Sequence, residues 1–282
     1  MTFKNVHKCV LLLSVLFPVI GFAQVADSEY NMELRKKEAF TDDIKRVNTV
    51  ELGGTMDFVS DDFGRWDGVR LRYTRTNKKY TWFLEGNGYN REKSGGEAFV
   101  GVGGLYVDWA KRMYTFSSVS AGTDTDYSPK IRVDQDFNFK FGKSQQWVWV
   151  LGGTYVDYYS PQSIVIASTG MTYYTKGIIL SGRMFYNIAY PGALNSVSGQ
   201  ISADQGYWYK YMNTLTVSGG KQAYMATYMD SPEAIDRNSI SVSFKSRYWV
   251  KKTWGFWGQV SYTNVFDAYN VFGVGAGVFV NF

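Results

Sequence analysis

A chain of 282 residues with a formal charge of +5 is too balanced to argue for nucleic acid, and its single cysteine and single histidine exclude a disulfide framework and a histidine–cysteine metal site. Aromatic residues make up 18% and charged residues 20%, a mixture that suits a β-barrel with a wet interior and aromatic girdles better than a soluble core. Beyond residue 23 no apolar stretch approaches the ~20 residues of a transmembrane helix.

The chain opens with a basic segment, Lys4, His7 and Lys8, followed by an apolar run from Val10 to Ile20 that is too short to span a bilayer. Gly21 and Ala23 supply small residues before a cut, so residues 1–23 are expected to be a secretory signal cleaved between Ala23 and Gln24. Cys9 precedes the apolar run and cannot be a lipobox cysteine. Cleavage removes both His7 and Cys9, so thiolate chemistry, imidazole catalysis and histidine- or cysteine-based metal or haem binding are not expected of the mature chain. No enzyme activity, cofactor or metal is expected. Residues 24–48 are charged and irregular and read as a short periplasmic tail, either a disordered leader or a docking segment.

From residue 49 onward the chain keeps a beat. Basic tight-turn signals recur at Asn77-Lys78-Lys79, Ala110-Lys111-Arg112, Gly142-Lys143-Ser144, Thr175-Lys176-Gly177, Lys210-Tyr211-Met212-Asn213 and Lys251-Lys252-Thr253, the first five about 33 residues apart. Between them lie connections rich in Asp, Gly and Pro, at 60–65, 91–96, 123–130, 158–162, 190–196, 223–238 and 264–268. The segments between turns predict strands at 49–59, 66–76, 80–90, 97–109, 113–122, 131–141, 146–157, 163–174, 178–189, 197–209, 214–222, 239–250, 254–263 and 269–282. Each has the length a tilted strand needs to cross a bilayer. The fold expected over 49–282 is an all-β, transmembrane, antiparallel up-and-down barrel of about fourteen strands. An even count puts both termini on one side, expected to be the periplasm with the basic turns, and the acidic loops outside.

Alternation assigns the faces. Along 131–141, Ile131, Val133, Phe137, Phe139 and Phe141 share one face, with Gln135 as the exception, and Arg132, Asp134, Asp136, Asn138 and Lys140 share the other. A charge on the lipid face at the bilayer midplane costs about 2–4 kcal/mol, so the charged set must look inward. The same reasoning turns Arg70 and Arg72, Glu85 with Asn87, Arg183, and Lys245 with Arg247 into the lumen. These charges either pair across the interior and hold it rigid, or line a water-filled path. Glycine pairs at 53–54, 103–104, 152–153 and 219–220 have no helix after them and read as places of tight curvature or close strand contact. Asp61-Asp62 and Asp124-x-Asp126 read as solvated loop charge, with a calcium site in an external loop as the alternative.

The final strand alternates Phe272, Val274, Ala276, Val278, Val280 and Phe282 against Gly273, Gly275, Gly277, Phe279 and Asn281. Its Gly277-x-x-Val280-x-Phe282 ending resembles the terminal insertion signal of outer-membrane barrels, which implies the barrel-assembly machinery as a partner alongside outer-membrane lipid. Ser128-Pro129-Lys130, Ser196-Val197-Ser198, Tyr207-Trp208-Tyr209 and Val217-Ser218-Gly219-Gly220-Lys221, on the fourteen-strand beat, resemble the YaiO-type outer-membrane β-barrel family over roughly 47–282. The resemblance implies an outer-membrane location and a single barrel, and it carries no settled activity. Similar barrels sometimes follow helical-repeat scaffolds in envelope polysaccharide export; residues 24–48 are too short for such a repeat, so an export role implies a separate periplasmic envelope partner.

The expected function is an outer-membrane pore or channel for small solutes or saccharides, with polysaccharide export as a variant and Trp208 and Trp257 as rings that could stack on sugars. The alternative is a non-conducting structural or surface-binding protein, for which the loop 223–238, with Tyr224, Tyr228 and Met229, would meet a partner.

Overall fold

The computed structural model describes residues 47–225 and 234–282, apart from 62, 94, 95 and 126. The expected signal, its cleavage site and residues 24–46 of the tail lie outside the described residues. The strands are β1 (Val47–Val59), β2 (Gly64–Thr76), β3 (Tyr80–Arg91), β4 (Gly96–Ala110), β5 (Met113–Gly122), β6 (Pro129–Phe141), β7 (Trp147–Tyr158), β8 (Ser163–Tyr174), β9 (Ile178–Tyr190), β10 (Leu194–Tyr207), β11 (Tyr211–Met225), β12 (Ala234–Lys251), β13 (Trp254–Val265) and β14 (Tyr269–Asn281). Each pairs antiparallel with its sequence neighbours, and β14 returns to β1 with Gly53 opposite Gly277, so the sheet closes into a barrel. Closure leaves no unpaired strand edge, which hydrocarbon would penalise by several kcal/mol per orphaned group.

The faces fall as the alternation requires. Phe282 is 66% exposed and Val280 46%, whereas Phe279 between them is 1% exposed. Leu52, Leu71, Leu84, Val133 and Ile201 face outward with the rest of the apolar wall. Gln135 also faces outward, and its amide is satisfied locally: Ser117 donates to Oε1 at 2.6 Å and Nε2 donates to the Asp136 carbonyl at 3.2 Å. Exposed aromatic residues gather toward both ends, Tyr80, Trp109, Trp147 and Trp149 at the end holding the termini and Phe58, Tyr159, Tyr190 and Phe266 at the other. These are the girdles a bilayer interface favours.

Charge separates the two rims. At the terminal end the connections are 77–79, 111–112, 142–146, 175–177, 208–210 and 252–253; every one carries a lysine or arginine and none an acid. At the loop end the described connections hold Asp61, Glu92, Asp124 and Asp267 against Lys93 alone.

Two expectations shift. The turn expected at 210–213 lies at 208–210, with Tyr209 at a φ of 62°. Turning earlier buries Met212 and brings the Trp208 ring to 4.7 Å from that of Trp249. The hairpin of β11 and β12 also runs further than expected, pairing through Met225 and Ala234, so Tyr224 belongs to a strand. Tyr228 and Met229 lie outside the described residues.

Candidate functional site

The interior is filled unevenly around its circumference. Along β3–β9 the inward side chains are large. Phe83, Tyr106, Tyr114, Phe116, Val148 and Val150 pack together toward the terminal end. Ala98, Val156, Tyr158, Ile164, Ile166 and Ala189 pack toward the loop end with Tyr127, which enters from the β5–β6 connection. The Tyr127 hydroxyl donates to the Gly96 carbonyl at 2.8 Å, and its ring lies 3.9 Å from the Arg91 guanidinium, which also sits 4.5 Å from the Trp66 ring. Burial pushes the Tyr127 phenol above its ordinary range, against the pull of Arg91.

Along β10–β13 the inward side chains toward the loop end are mostly small and hydroxylated, and β14 presents glycines beside them. Thr216, Ser218, Ser241, Ser243, Ser261 and Thr263 line a cavity of about 290 Å³. It reaches from Asp57, Trp66 and Tyr269 near the loop rim down to Arg70, Lys245 and Trp257 at mid-depth. Trp257 also belongs to a buried cluster with Met212, Trp249 and Phe279 toward the terminal end, with Trp208 and Tyr209 against it.

A belt of charge crosses the middle. Glu51 accepts hydrogen bonds from Arg70 of β2 and lies 2.8 Å from Arg247 Nη1 of β12. Glu85 lies 3.5 Å from Arg72 and 4.0 Å from Arg70. Across the barrel Arg132 meets Asp134 at 2.7 Å, and Asp134 also accepts from Ser118 at 2.9 Å and Thr154 at 2.8 Å. Arg183 reaches from β9 to grip Asp136 of β6 through two bonds, of 2.6 and 2.9 Å, while bonding Ser168 at 2.7 Å. Lys140 lies 3.7 Å from Asp108 and 5.1 Å from the Tyr114 ring. Buried charges of this kind must be paired, because desolvating each ion costs several kcal/mol.

All ten residues expected to line the lumen, Arg70, Arg72, Glu85, Arg132, Asp134, Asp136, Lys140, Arg183, Lys245 and Arg247, are on inward positions, and most belong to these ion pairs. They form two groups on opposite walls. Arg70 and Lys245 reach the cavity, while Arg132, Asp134, Asp136 and Lys140 belong to the filled side. The hub, Glu51, was legible only from its place among Thr49, Gly53, Thr55 and Asp57, opposite Leu52 and Met56. The terminal-signal residues divide by face: Gly277 points inward against Trp257, and Val280 and Phe282 point to lipid.

Trp208 and Trp257 do not offer themselves to a stacked sugar. Trp257 is 4% exposed, with Lys245 Nζ 4.6 Å and Arg70 Cζ 5.7 Å from its ring centroid. Trp208 packs on Trp249 and Tyr209. Both rings are spent on internal contacts. The inward glycine of several glycine pairs makes room for bulk: a Cβ on Gly53 would strike the Trp257 indole, one on Gly104 the Phe83 ring, and one on Gly152 the Asp136 carboxylate and Arg183.

Residues 47–225 match the YaiO membrane beta barrel domain. The chain belongs to the YaiO family. The matched region is β1–β11, and β12–β14 complete the same closed sheet. Among solved structures, the YaiO barrel is similar to the CymD monoaromatic hydrocarbon channel, with a TM-score of 0.56 at 7% identity over 83% of this chain and 88% of that one. It is similar to OccAB1 of Acinetobacter baumannii, with a TM-score of 0.51 at 10% identity over 84% and 96%. A bacterial polysaccharide outer membrane secretin gives 0.50 at 6% identity over 85% and 100%. At such identities the likeness is one of fold. No curated protein matches the chain. The protein is an outer-membrane β-barrel whose structural neighbours include a channel.

Proposed function

We propose that this YaiO barrel is a narrow channel for small polar solutes, with its termini and basic turns in the periplasm and its acidic loops outside. The observation that carries the reading is the one-sided lumen: bulky side chains fill β3–β9, while hydroxyls along β10–β13 line a cavity of about 290 Å³. Serine and threonine hydroxyls both donate and accept, so a wall of them can exchange hydrogen bonds with a passing polyol or sugar. The volume lies at the lower edge of the roughly 300–1,000 Å³ that small-ligand sites occupy, which favours one small solute over a polymer strand. The polysaccharide-export variant therefore has less support than passage of single sugars. The reading includes no catalytic step.

Liposome swelling tests it. Vesicles carrying the protein should swell faster in arabinose or glucose than protein-free vesicles, and more slowly as solute size grows. Swelling at the protein-free rate for every solute would leave the second reading, a sealed structural barrel. That reading is favoured by the tie of Glu51 to Arg70 and Arg247 above the buried Trp249–Phe279 cluster. On either reading the C-terminal strand, ending Val280-Asn281-Phe282, is the segment offered to the assembly machinery.

A further inference from the structure

We propose that Asp57 and the hydroxyl row beside it bind a neutral polyol or sugar with consecutive hydroxyls, Asp57 setting the specificity; this rests on the channel reading and deepens it. One line of inward positions runs around the wall at a single level. Asp57 of β1 stands opposite Gly273 of β14, Gly273 opposite Ser261, Ser261 opposite Ser243, and Ser243 opposite Thr216. Neighbouring strands lie ~4.8 Å apart, so the line presents a carboxylate and three hydroxyls in succession. Gly273 keeps the row open: a Cβ there would strike both Asp57 Oδ1 and Ser261 Oγ. The four polar side chains line the cavity and are only half-buried, so a solute in the cavity can reach them.

Among the described residues none of the four side chains makes a hydrogen bond. The adjoining rows are spent internally: toward the loops Thr263 donates to Ser241 at 2.8 Å, and toward the terminal end Thr214 donates to Asp204 at 2.5 Å. The open row has a definite requirement. A carboxylate only accepts, so Asp57 needs a donor, while the serine and threonine hydroxyls can donate or accept. Its charge is already opposed. Arg91 acts on Asp57 without bonding to it, and the other carboxylate that acts on it, Asp67, is held by Arg65 at 2.9 Å. A ligand that brings several hydroxyls and no net charge meets these terms. A ligand carboxylate would be repelled by Asp57, a cation would gain little where the charge is balanced, and an apolar ligand would leave the carboxylate unsatisfied.

Saturation-transfer NMR on the full-length, detergent-purified protein, with folding checked by heat-modifiable gel mobility, tests the site. D-arabinose and choline chloride are the probes. Arabinose should bind, and added salt should leave its affinity unchanged, because the ligand carries no charge to screen. Asp57→Asn should weaken arabinose at least about fivefold and Ser243→Ala about threefold, through loss of a charged and of a neutral hydrogen bond. Asp124→Asn, in the β5–β6 connection, should change nothing. No arabinose binding by folded wild-type protein, or equal affinity in Asp57→Asn, would overturn the site even if sugars still permeate vesicles. Choline binding that exceeds arabinose and weakens with salt would also overturn it, by making Asp57 a cation site. Asp57-dependent arabinose binding in a protein that passes no solute would uphold the site and remove the channel reading instead.

Discussion

Glu51 of β1 and Arg247 of β12 meet at 2.8 Å although β14 and β13 lie between them in the sheet. The pair is a chord across the barrel wall, and Arg70 from β2 holds the other side of the same carboxylate. Glu51 thereby fastens the seam where the first and last strands join, directly above the aromatic cluster of Trp249 and Phe279.

Replacing Glu51 with Gln removes the buried carboxylate that Arg70 and Arg247 share. Removing one partner of a buried pair typically costs about 3–5 kcal/mol. The temperature at which the heat-modifiable band is lost should therefore fall clearly, and adding Arg247→Met to Glu51→Gln should restore part of the loss. An unchanged transition in the single variant would contradict the role given to Glu51.

Gly152 makes a second case. A methyl group at this position collides with the Asp136 carboxylate and with Arg183. Gly152→Ala should disrupt the two bonds joining β6 to β9 and destabilise the barrel. Gly153→Ala, where an added Cβ meets nothing within 4 Å, should be tolerated. Urea unfolding of the two variants in lipid vesicles makes the comparison.

The lipid face can be tested one position from the lumen. Leu71 is 55% exposed between the inward Arg70 and Arg72. Leu71→Arg places a charge in hydrocarbon and should cost about 2–4 kcal/mol of folding free energy in vesicles. Wild-type stability in Leu71→Arg would mean that this face does not meet lipid.

The C-terminal residue separates assembly from stability. Phe282 projects outward, 66% exposed, and its side chain contributes nothing to the packed interior. Phe282→Ala should lower the amount of folded barrel in the outer membrane of cells while leaving refolding of the purified protein into vesicles unchanged. Equal loss in both assays would assign Phe282 a structural role.

Much of the fold was legible from period two and from turn chemistry. Strands such as β5 and β8 begin and end where alternation places them, because a lipid-facing residue and a lumen-facing residue cannot exchange sides without a large penalty. The 208–210 turn was not legible: Lys210 carries a turn signal, but burial of Met212 and packing of Trp208 on Trp249 draw the chain back earlier. The inward direction of Arg132, Asp136 and Arg183 could be read from sequence. Their partners could not, because Asp136 finds Arg183 across two intervening strands, and only a closed, curved wall brings them together. The cavity was hidden for the same reason. No single strand announces it; it arises where the serines of β12 and β13 stand beside one another and face away from the bulky wall.

The central claim is that the hydroxyl-lined side of the lumen is a path. Single-channel recording in a planar lipid bilayer tests it most directly. Folded protein should insert to give discrete, small conductance steps, and Ser243→Trp, which fills the cavity, should reduce their size. Correctly folded, inserted protein that passes no current, or steps indifferent to Ser243→Trp, would contradict the account.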